Sequence, residues 1–99
     1  MATVKKKDLV DRIAESTNTT RSTVKSVVQC FLDEIIAELA ENNRLEFRDF
    51  GVFEVKERAA RTAQNPKTFE PVYVQAKKTV KFKMGRLMIQ GVNGRSQNQ

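Results

Sequence analysis

The middle of this 99-residue chain contains a stretch that favours strands yet offers nothing large and apolar to bury. Residues 56–64 are charged, polar or Ala, a turn signal follows at Asn65 and Pro66, and residues 72–76 again favour a strand. A hairpin that has no core of its own must project into solvent or lie on a partner. Because ten strand residues span about 33 Å, the sequence predicts a long exposed β-ribbon, or arm, over residues 56–79.

The residues before the arm predict two helices. Apolar side chains at helical spacing lie at 9–14 and again, as a broad stripe, at 24–39. We expect Thr20 to be the N-cap of the second helix and an Asn at 42–43 to end it in the left-handed conformation. Residues 4–43 therefore form the predicted two-helix base.

The residues on either side of the arm predict a small antiparallel sheet. Residues 44–55 favour a hairpin whose turn uses the positive φ that Gly51 can adopt. Residues 80–90 return to the sheet and end in a short helix, and we expect 91–99 to be a flexible tail. The predicted fold class is α+β, a helical base with a small antiparallel sheet and a long protruding β-ribbon arm, in a single domain over residues 1–90.

The apolar stripe of the second helix is wider than one short helix can cover. That width predicts a second subunit, although an intramolecular sheet competes for the same face. Cys30 lies on this helix beside Phe31, and we expect its side chain to be buried.

The positive charge of the chain is concentrated in its second half. The sequence has 18 Lys and Arg against 12 Asp and Glu, a net charge of +6. Residues 1–43 carry a net charge of −1 and residues 44–99 a net charge of +7. A basic half joined to a near-neutral half favours a polyanion-binding part on a folding or dimerising base, with an ordinary basic surface as the alternative.

The composition excludes several classes of function. With no His and one Cys, the chain cannot build the usual zinc sites, a His-based acid–base site or an internal disulfide. We therefore expect no enzyme activity, no metal and no cofactor. No apolar run approaches the length of about 18 residues that a membrane span needs. A single cysteine fits a reducing compartment, so we expect a cytoplasmic protein.

The segment from Leu45 to Thr68, LEFRDFGVFEVKERAARTAQNPKT, resembles the signature of bacterial HU and integration host factor, the DNA-bending proteins of the nucleoid. The order of elements is similar too, so the resemblance covers about residues 4–90. It implies an intertwined dimer whose paired arms bind the minor groove of double-stranded DNA. It also implies that a tip proline enters between base pairs and kinks the duplex, a wedge mechanism described for this very family.

The resemblance implies roles for individual residues. Arm cations would contact phosphates and the minor groove, Pro66 with Asn65 beside it would intercalate, and body cations would contact flanking DNA. From the charge and position of the remaining tip and return-strand residues, we expect further contacts, with a solvated face that prevents aggregation as the alternative for the lysines. The complete predicted DNA-binding set is Lys6, Lys56, Arg58, Arg61, Gln64, Asn65, Pro66, Lys67, Lys77, Lys78, Lys81, Lys83 and Arg86. The predicted dimer core is Phe31, Phe47, Phe50, Phe53 and Phe82.

Three positions depart from the family pattern. Ala63 and Gln64 stand where the family usually has Gly-Arg, which removes a cation at the tip. Phe69 stands where a glycine is common after the tip, and Asp49 replaces the first glycine of Gly-Phe-Gly. The shape of the return turn and the strength of contact near the kink are therefore open.

Other modes of binding remain as alternatives. A second helix acting as a recognition helix is disfavoured, because its exposed positions are mostly acidic. Structured RNA is a secondary candidate for the basic ribbon. The expected partner is double-stranded DNA, favouring bent, gapped or flexible sites, bound by a homodimer or by a heterodimer with a paralogous chain. Site-directed binding, as by an integration host factor, and sequence-indifferent binding are both compatible with these residues.

Overall fold

A computed structural model describes residues 1–94 of the chain. Helices and antiparallel strands are both present in this range, which confirms the predicted α+β class. In chain order the elements are α1 (Lys6–Ser16), α2 (Arg21–Ala40), β1 (Leu45–Phe47), β2 (Gly51–Arg58), β3 (Arg61–Gln64), β4 (Pro71–Val74), β5 (Lys77–Met84) and α3 (Arg86–Asn93).

The chain divides into two compact units, Met1–Ala37 and the part from Glu38 onward. The single domain over 1–90 and its internal boundaries stay a prediction. In the first unit the Thr20 hydroxyl accepts a hydrogen bond from the Thr23 N–H at 3.3 Å, which confirms the predicted N-cap of α2. In the second unit Asn42, at φ 66°, takes the left-handed position that ends α2, as the sequence predicts.

The sheet of the second unit has the strand order β1-β2-β5, and β3 pairs with β4 in a separate ladder. In the first ladder Arg58 pairs with Lys77, and in the second Arg61 pairs with Val74. The pairing register is the same in both ladders, so the four strands form one ribbon. One side of the ribbon is β2 followed by β3, the other is β4 followed by β5, and each side is interrupted for two residues. The predicted arm is therefore present with an unbroken register.

The turn between β1 and β2 is built differently from the prediction. We expected Gly51 to supply a positive φ, and this was wrong, because Asp49 adopts it at φ 66°. Gly51 is instead buried, and a Cβ on it would lie 2.5 Å from Phe82 Cε1 and 2.7 Å from the Lys83 carbonyl oxygen. The glycine is needed for the close approach of a ring, not for its backbone freedom.

The last helix extends three residues into the segment that we expected to be a flexible tail. The sequence interpretation ended the helix before Gly91, because the segment from there to the end of the chain is polar. In the structure α3 continues through Gly91 to Asn93 and ends at Gly94, at φ 78°, whose N–H donates to the Gln90 carbonyl at 3.0 Å. The rest of the expected tail, 95–99, lies outside the described residues.

Few side chains are buried within one chain. In the part of the chain that the structure describes, the buried apolar residues are Val10, Ala14 and Val24. The ring of Phe31 is 53% exposed, and Cys30, expected to be buried, is exposed. The first unit buries little of the apolar face of α2, so the hydrophobic pattern of the sequence predicted more burial for Cys30 than the structure shows. No helix among the described residues is long and apolar enough to span a membrane.

The remaining predicted core phenylalanines form one cluster in the second unit. Phe53 and Phe82 have ring centroids 4.7 Å apart, and Phe50 and Phe82 5.8 Å apart. Phe47 meets Phe50 and Phe53 edge to face at 6.3 and 6.1 Å. Phe50 is nevertheless half exposed. The cluster thus has an uncovered side within a single chain, and its role in a dimer core stays a prediction.

Candidate nucleic-acid interface

Pairing between β2 and β5 sorts the side chains of the sheet onto two chemically different faces. Directly paired residues of an antiparallel ladder lie on the same face, and successive residues alternate. One face, called the basic face here, carries Lys56 and Arg58 of β2 with Lys77, Lys81 and Lys83 of β5. The opposite face carries Phe53, Val55, Val80 and Phe82. Five of the predicted DNA-binding cations are therefore brought together.

Sequence reasoning missed one further cation of the basic face. Leu45 pairs with Phe53, which places Arg44 opposite Glu54. The Arg44 Nε lies 3.5 Å from Glu54 Oε2, so the carboxylate that faces Lys81 is partly neutralised from the other side. Counting these residues and Glu46, the basic face has six cations against two anions. The register of the hairpin was the signal that would have revealed Arg44.

Other predicted cations are not part of the basic face. Lys78 pairs with Glu57 on the opposite face of the ladder, and Arg61 pairs with Val74 in the outer ladder. Lys6 lies in the first unit, where its Nζ donates to the side chain of Gln29.

Arg86 is held at the start of α3 by an ion pair. Its Nε lies 3.4 Å from Asp49 Oδ1, and the Asp49 carbonyl accepts the Leu87 N–H at 2.9 Å. The acidic side chain that departs from the family pattern is therefore the partner of a cation that we expected to contact DNA.

The tip of the arm is a four-residue turn over residues 66–69, and it is stabilised by the hydrogen bonds of Asn65, the residue just before it. The Asn65 N–H donates to the Glu70 carbonyl at 2.9 Å, and its own carbonyl accepts the Phe69 N–H at 2.7 Å. Its Oδ1 also accepts the Lys67 N–H at 2.9 Å, an Asx turn that fixes the chain around Pro66. Pro66 and Lys67 are exposed at this tip.

Two residues that depart from the family pattern, Gln64 and Phe69, have roles in the turn itself. The Gln64 Nε2 donates to the Phe69 carbonyl at 3.1 Å, so the residue that replaces a family arginine supports the turn. Phe69 has φ 61°, a left-handed conformation that costs a non-glycine residue about 1–2 kcal/mol. Both departures from the family pattern therefore meet at one end of the arm.

The described residues offer no ready site for a metal ion. Within 1–94 no group of three or more His, Cys, Asp or Glu side chains is placed to hold a metal ion. What the arrangement provides is a cationic sheet face, a ribbon of exposed side chains and a tip held by hydrogen bonds.

Comparison with known proteins decides the family. The family model described as "Bacterial DNA-binding protein" matches residues 4–93. The chain belongs to this family. The HU and integration host factor resemblance is thereby confirmed, and with it the expectation of an architectural, non-enzymatic protein of a family that forms dimers.

Individual members of the HU and integration host factor family are similar over nearly the whole chain. The probable DNA-binding protein HU of Chlamydia trachomatis is 40% identical over 89 residues, 89% of each chain. Integration host factor subunit alpha of Psychrobacter cryohalolentis is 36% identical over 95 residues, 96% of each chain. Among solved structures, an Anabaena HU–DNA cocrystal structure is 32% identical with a TM-score of 0.77, covering 90% of this chain and 97% of the other.

Proposed function

We propose that two copies of this chain bind double-stranded DNA between their paired arms and bend it, as an architectural protein of the nucleoid in the cytoplasm. The observation that carries the proposal is the ribbon that continues the sheet in one register, with cations on its basic face and no buried side chain along the arm. Such a ribbon gains little by folding alone, because none of its side chains is fully buried and only a few, such as Ala63 and Val74, are half-buried. The similar Anabaena HU was crystallised with DNA.

The basic face supplies sequence-independent attraction. Lys56, Arg58 and Lys77 lie where the sheet passes into the arm, so each can neutralise a phosphate and release counterions. Phosphate contacts fix the position of a protein on the duplex but carry no base information. Preference for bent, gapped or flexible sites then follows from the cost of deforming the duplex.

The arm tips supply the bend. A two-stranded ribbon fits a DNA groove, and a rigid apolar side chain at its end unstacks a base step in the minor groove. Pro66 is exposed, its φ is fixed by its ring, and the Asn65 Asx turn holds the residue after it. These properties support Pro66 as the intercalating residue, with the expected contacts of Asn65 and Lys67 beside it.

Energy transfer across an end-labelled duplex tests this function. The duplex is about 35 base pairs long, well below the persistence length, so it does not shorten by itself. Wild-type protein should bring the ends together, and more so on gapped DNA. The Pro66→Ala variant should lose more of the shortening than of the affinity. Binding without shortening by the wild type would contradict the bending function, and equal shortening by Pro66→Ala would contradict the proline wedge.

The same assay separates two kinds of bender. The chain is similar to both HU and an integration host factor subunit, at 40% and 36% identity. Similar shortening of random sequences would identify a sequence-indifferent protein. Shortening of only a few sequences would identify a site-directed one.

A further inference from the structure

The arm tip carries an exposed aromatic ring in the same turn as Pro66, three residues after it. Phe69 is 70% exposed, the highest exposed fraction of the six phenylalanines, and its backbone is left-handed at φ 61°. Glycine or asparagine would close this turn at lower cost, because both adopt positive φ more readily. The turn itself therefore does not require the ring.

Hydrogen bonds fix the backbone of Phe69 and leave its side chain outside. Its N–H donates to the Asn65 carbonyl at 2.7 Å, and its carbonyl accepts the Gln64 Nε2 at 3.1 Å. Pro66 opens the four-residue turn and Phe69 closes it. Two apolar side chains, each on a constrained backbone, thus stand at the end of one ribbon.

The charge of the outer arm points to apolar contact with DNA. From Thr62 to Ala76 the charged residues are Lys67 and Glu70, so this segment has no net charge. The phosphate attraction of the basic face is therefore not continued to the tip. The charges of Lys67 and Glu70 offset each other, and the exposed apolar side chains of the four-residue turn are Pro66 and Phe69.

We propose that Phe69 is a second wedge of the arm tip, which stacks its ring on a base exposed at the step that Pro66 opens. This rests on the proposed bending function and adds to it a residue that the proline mechanism does not use. Phenylalanine is one of the side chains that unstack base steps from the minor groove. Because every base has a π-face, such stacking tolerates any sequence and does not need hydrogen-bond readout.

Substitution by Asn tests the ring without straining the turn. Phe69→Asn introduces a residue that tolerates positive φ, and Phe69→Tyr keeps an aromatic ring. We expect Phe69→Asn to bind the end-labelled duplex of the preceding assay about tenfold more weakly, which corresponds to one lost stacking contact, and to shorten it less. Phe69→Tyr should retain both the affinity and the shortening of the wild type. Phe69→Tyr should unfold like the wild type, because the tip lies outside the packed residues, and Phe69→Asn should be at least as stable, because asparagine adopts the left-handed φ at lower cost.

A tryptophan reporter gives an independent readout. The sequence contains no Trp, so Phe69→Trp introduces a single indole at the tip, and Tyr73→Trp, at a residue 67% exposed on the outer arm, is the matched comparison. Duplex DNA should quench the fluorescence of the indole at 69 more than that of the indole at 73. It should also protect the indole at 69 from quenching by iodide.

The outcomes separate the two proposals. The second wedge is wrong if Phe69→Asn binds and bends the duplex like the wild type. It is also wrong if iodide quenches the fluorescence of the indole at 69 as strongly in the DNA complex as in the free protein. In either case the proposed bending function stands. If the wild type neither binds nor shortens the duplex, both proposals are wrong.

Discussion

Arg86 Nε lies 3.4 Å from Asp49 Oδ1, and this ion pair joins the β1–β2 turn to the first residue of α3. Asp49 sits at φ 66° and its carbonyl accepts the Leu87 N–H, so one residue serves the turn and the helix start together. The Arg86 side chain is 65% exposed, which leaves it open to solvent and to a DNA phosphate.

The Asp49–Arg86 pair predicts that removing the acid strengthens DNA binding. Asp49→Asn keeps a residue that tolerates positive φ, frees Arg86 and raises the net charge by one. Because exposed ion pairs contribute at most about 1 kcal/mol, stability should change little. The affinity for duplex should rise, and the log–log salt slope should steepen by about 0.9 as one more phosphate is neutralised. Anisotropy titrations at several salt concentrations measure the slope. An unchanged slope would show that the ion pair with Asp49 does not keep Arg86 from a phosphate.

The Gly51–Phe82 approach predicts a strict size limit in the sheet. Gly51→Ala places a Cβ 2.5 Å from a ring atom and 2.7 Å from a backbone oxygen, so either the ring or the strand must shift. Such overpacking costs about 1–3 kcal/mol, and we expect a lower midpoint in thermal unfolding followed by circular dichroism. Gly91→Ala is the matched control, because a Cβ there meets nothing within 4 Å and alanine favours a helix. A Gly51→Ala midpoint equal to that of the wild type would refute the close approach.

The exposed apolar surface predicts that stability depends on protein concentration. Val27, Phe31 and Ile36 of α2 are 63%, 53% and 66% exposed in the single chain, and Phe50 is 50% exposed. A dimer that covers them should become about 2.7 kcal/mol more stable when the concentration rises 100-fold. Thermal unfolding at both concentrations checks this. A midpoint that does not move would argue against coupled folding and dimerisation.

The two faces of the ribbon predict unequal effects of neighbouring cations. Arg58→Gln removes charge from the basic face, whereas Lys78→Gln removes a charge that lies opposite Glu57 on the other face. Both variants lower the net charge by one, so each serves as the control for the other. We expect the larger loss of affinity, and a salt slope shallower by about 0.9, from Arg58→Gln. Equal losses of affinity from the two variants would show that DNA binding depends on the total charge and not on the face that carries it.

The local features of this protein follow from its sequence alone. The helices, the Thr20 cap, the left-handed Asn42 and the coreless ribbon are correct because each depends on patterns within a few residues. The same kind of local signal, charge and turn residues, led to the prediction of Pro66 and the arm cations as DNA-binding residues, and that role stays a prediction. The family signature is likewise contained in one contiguous segment.

Tertiary structure decided what depends on residues far apart in the chain. The pairing register placed Lys56 with Lys81 on one face and brought in Arg44, which no local pattern marked. A ring from β5 determined why residue 51 is glycine, and hydrogen bonds across the tip gave Gln64 and Phe69 their positions. Local propensity is fixed by neighbours in sequence, whereas the face, the close contact and the partner of a side chain are fixed by which strand lies opposite.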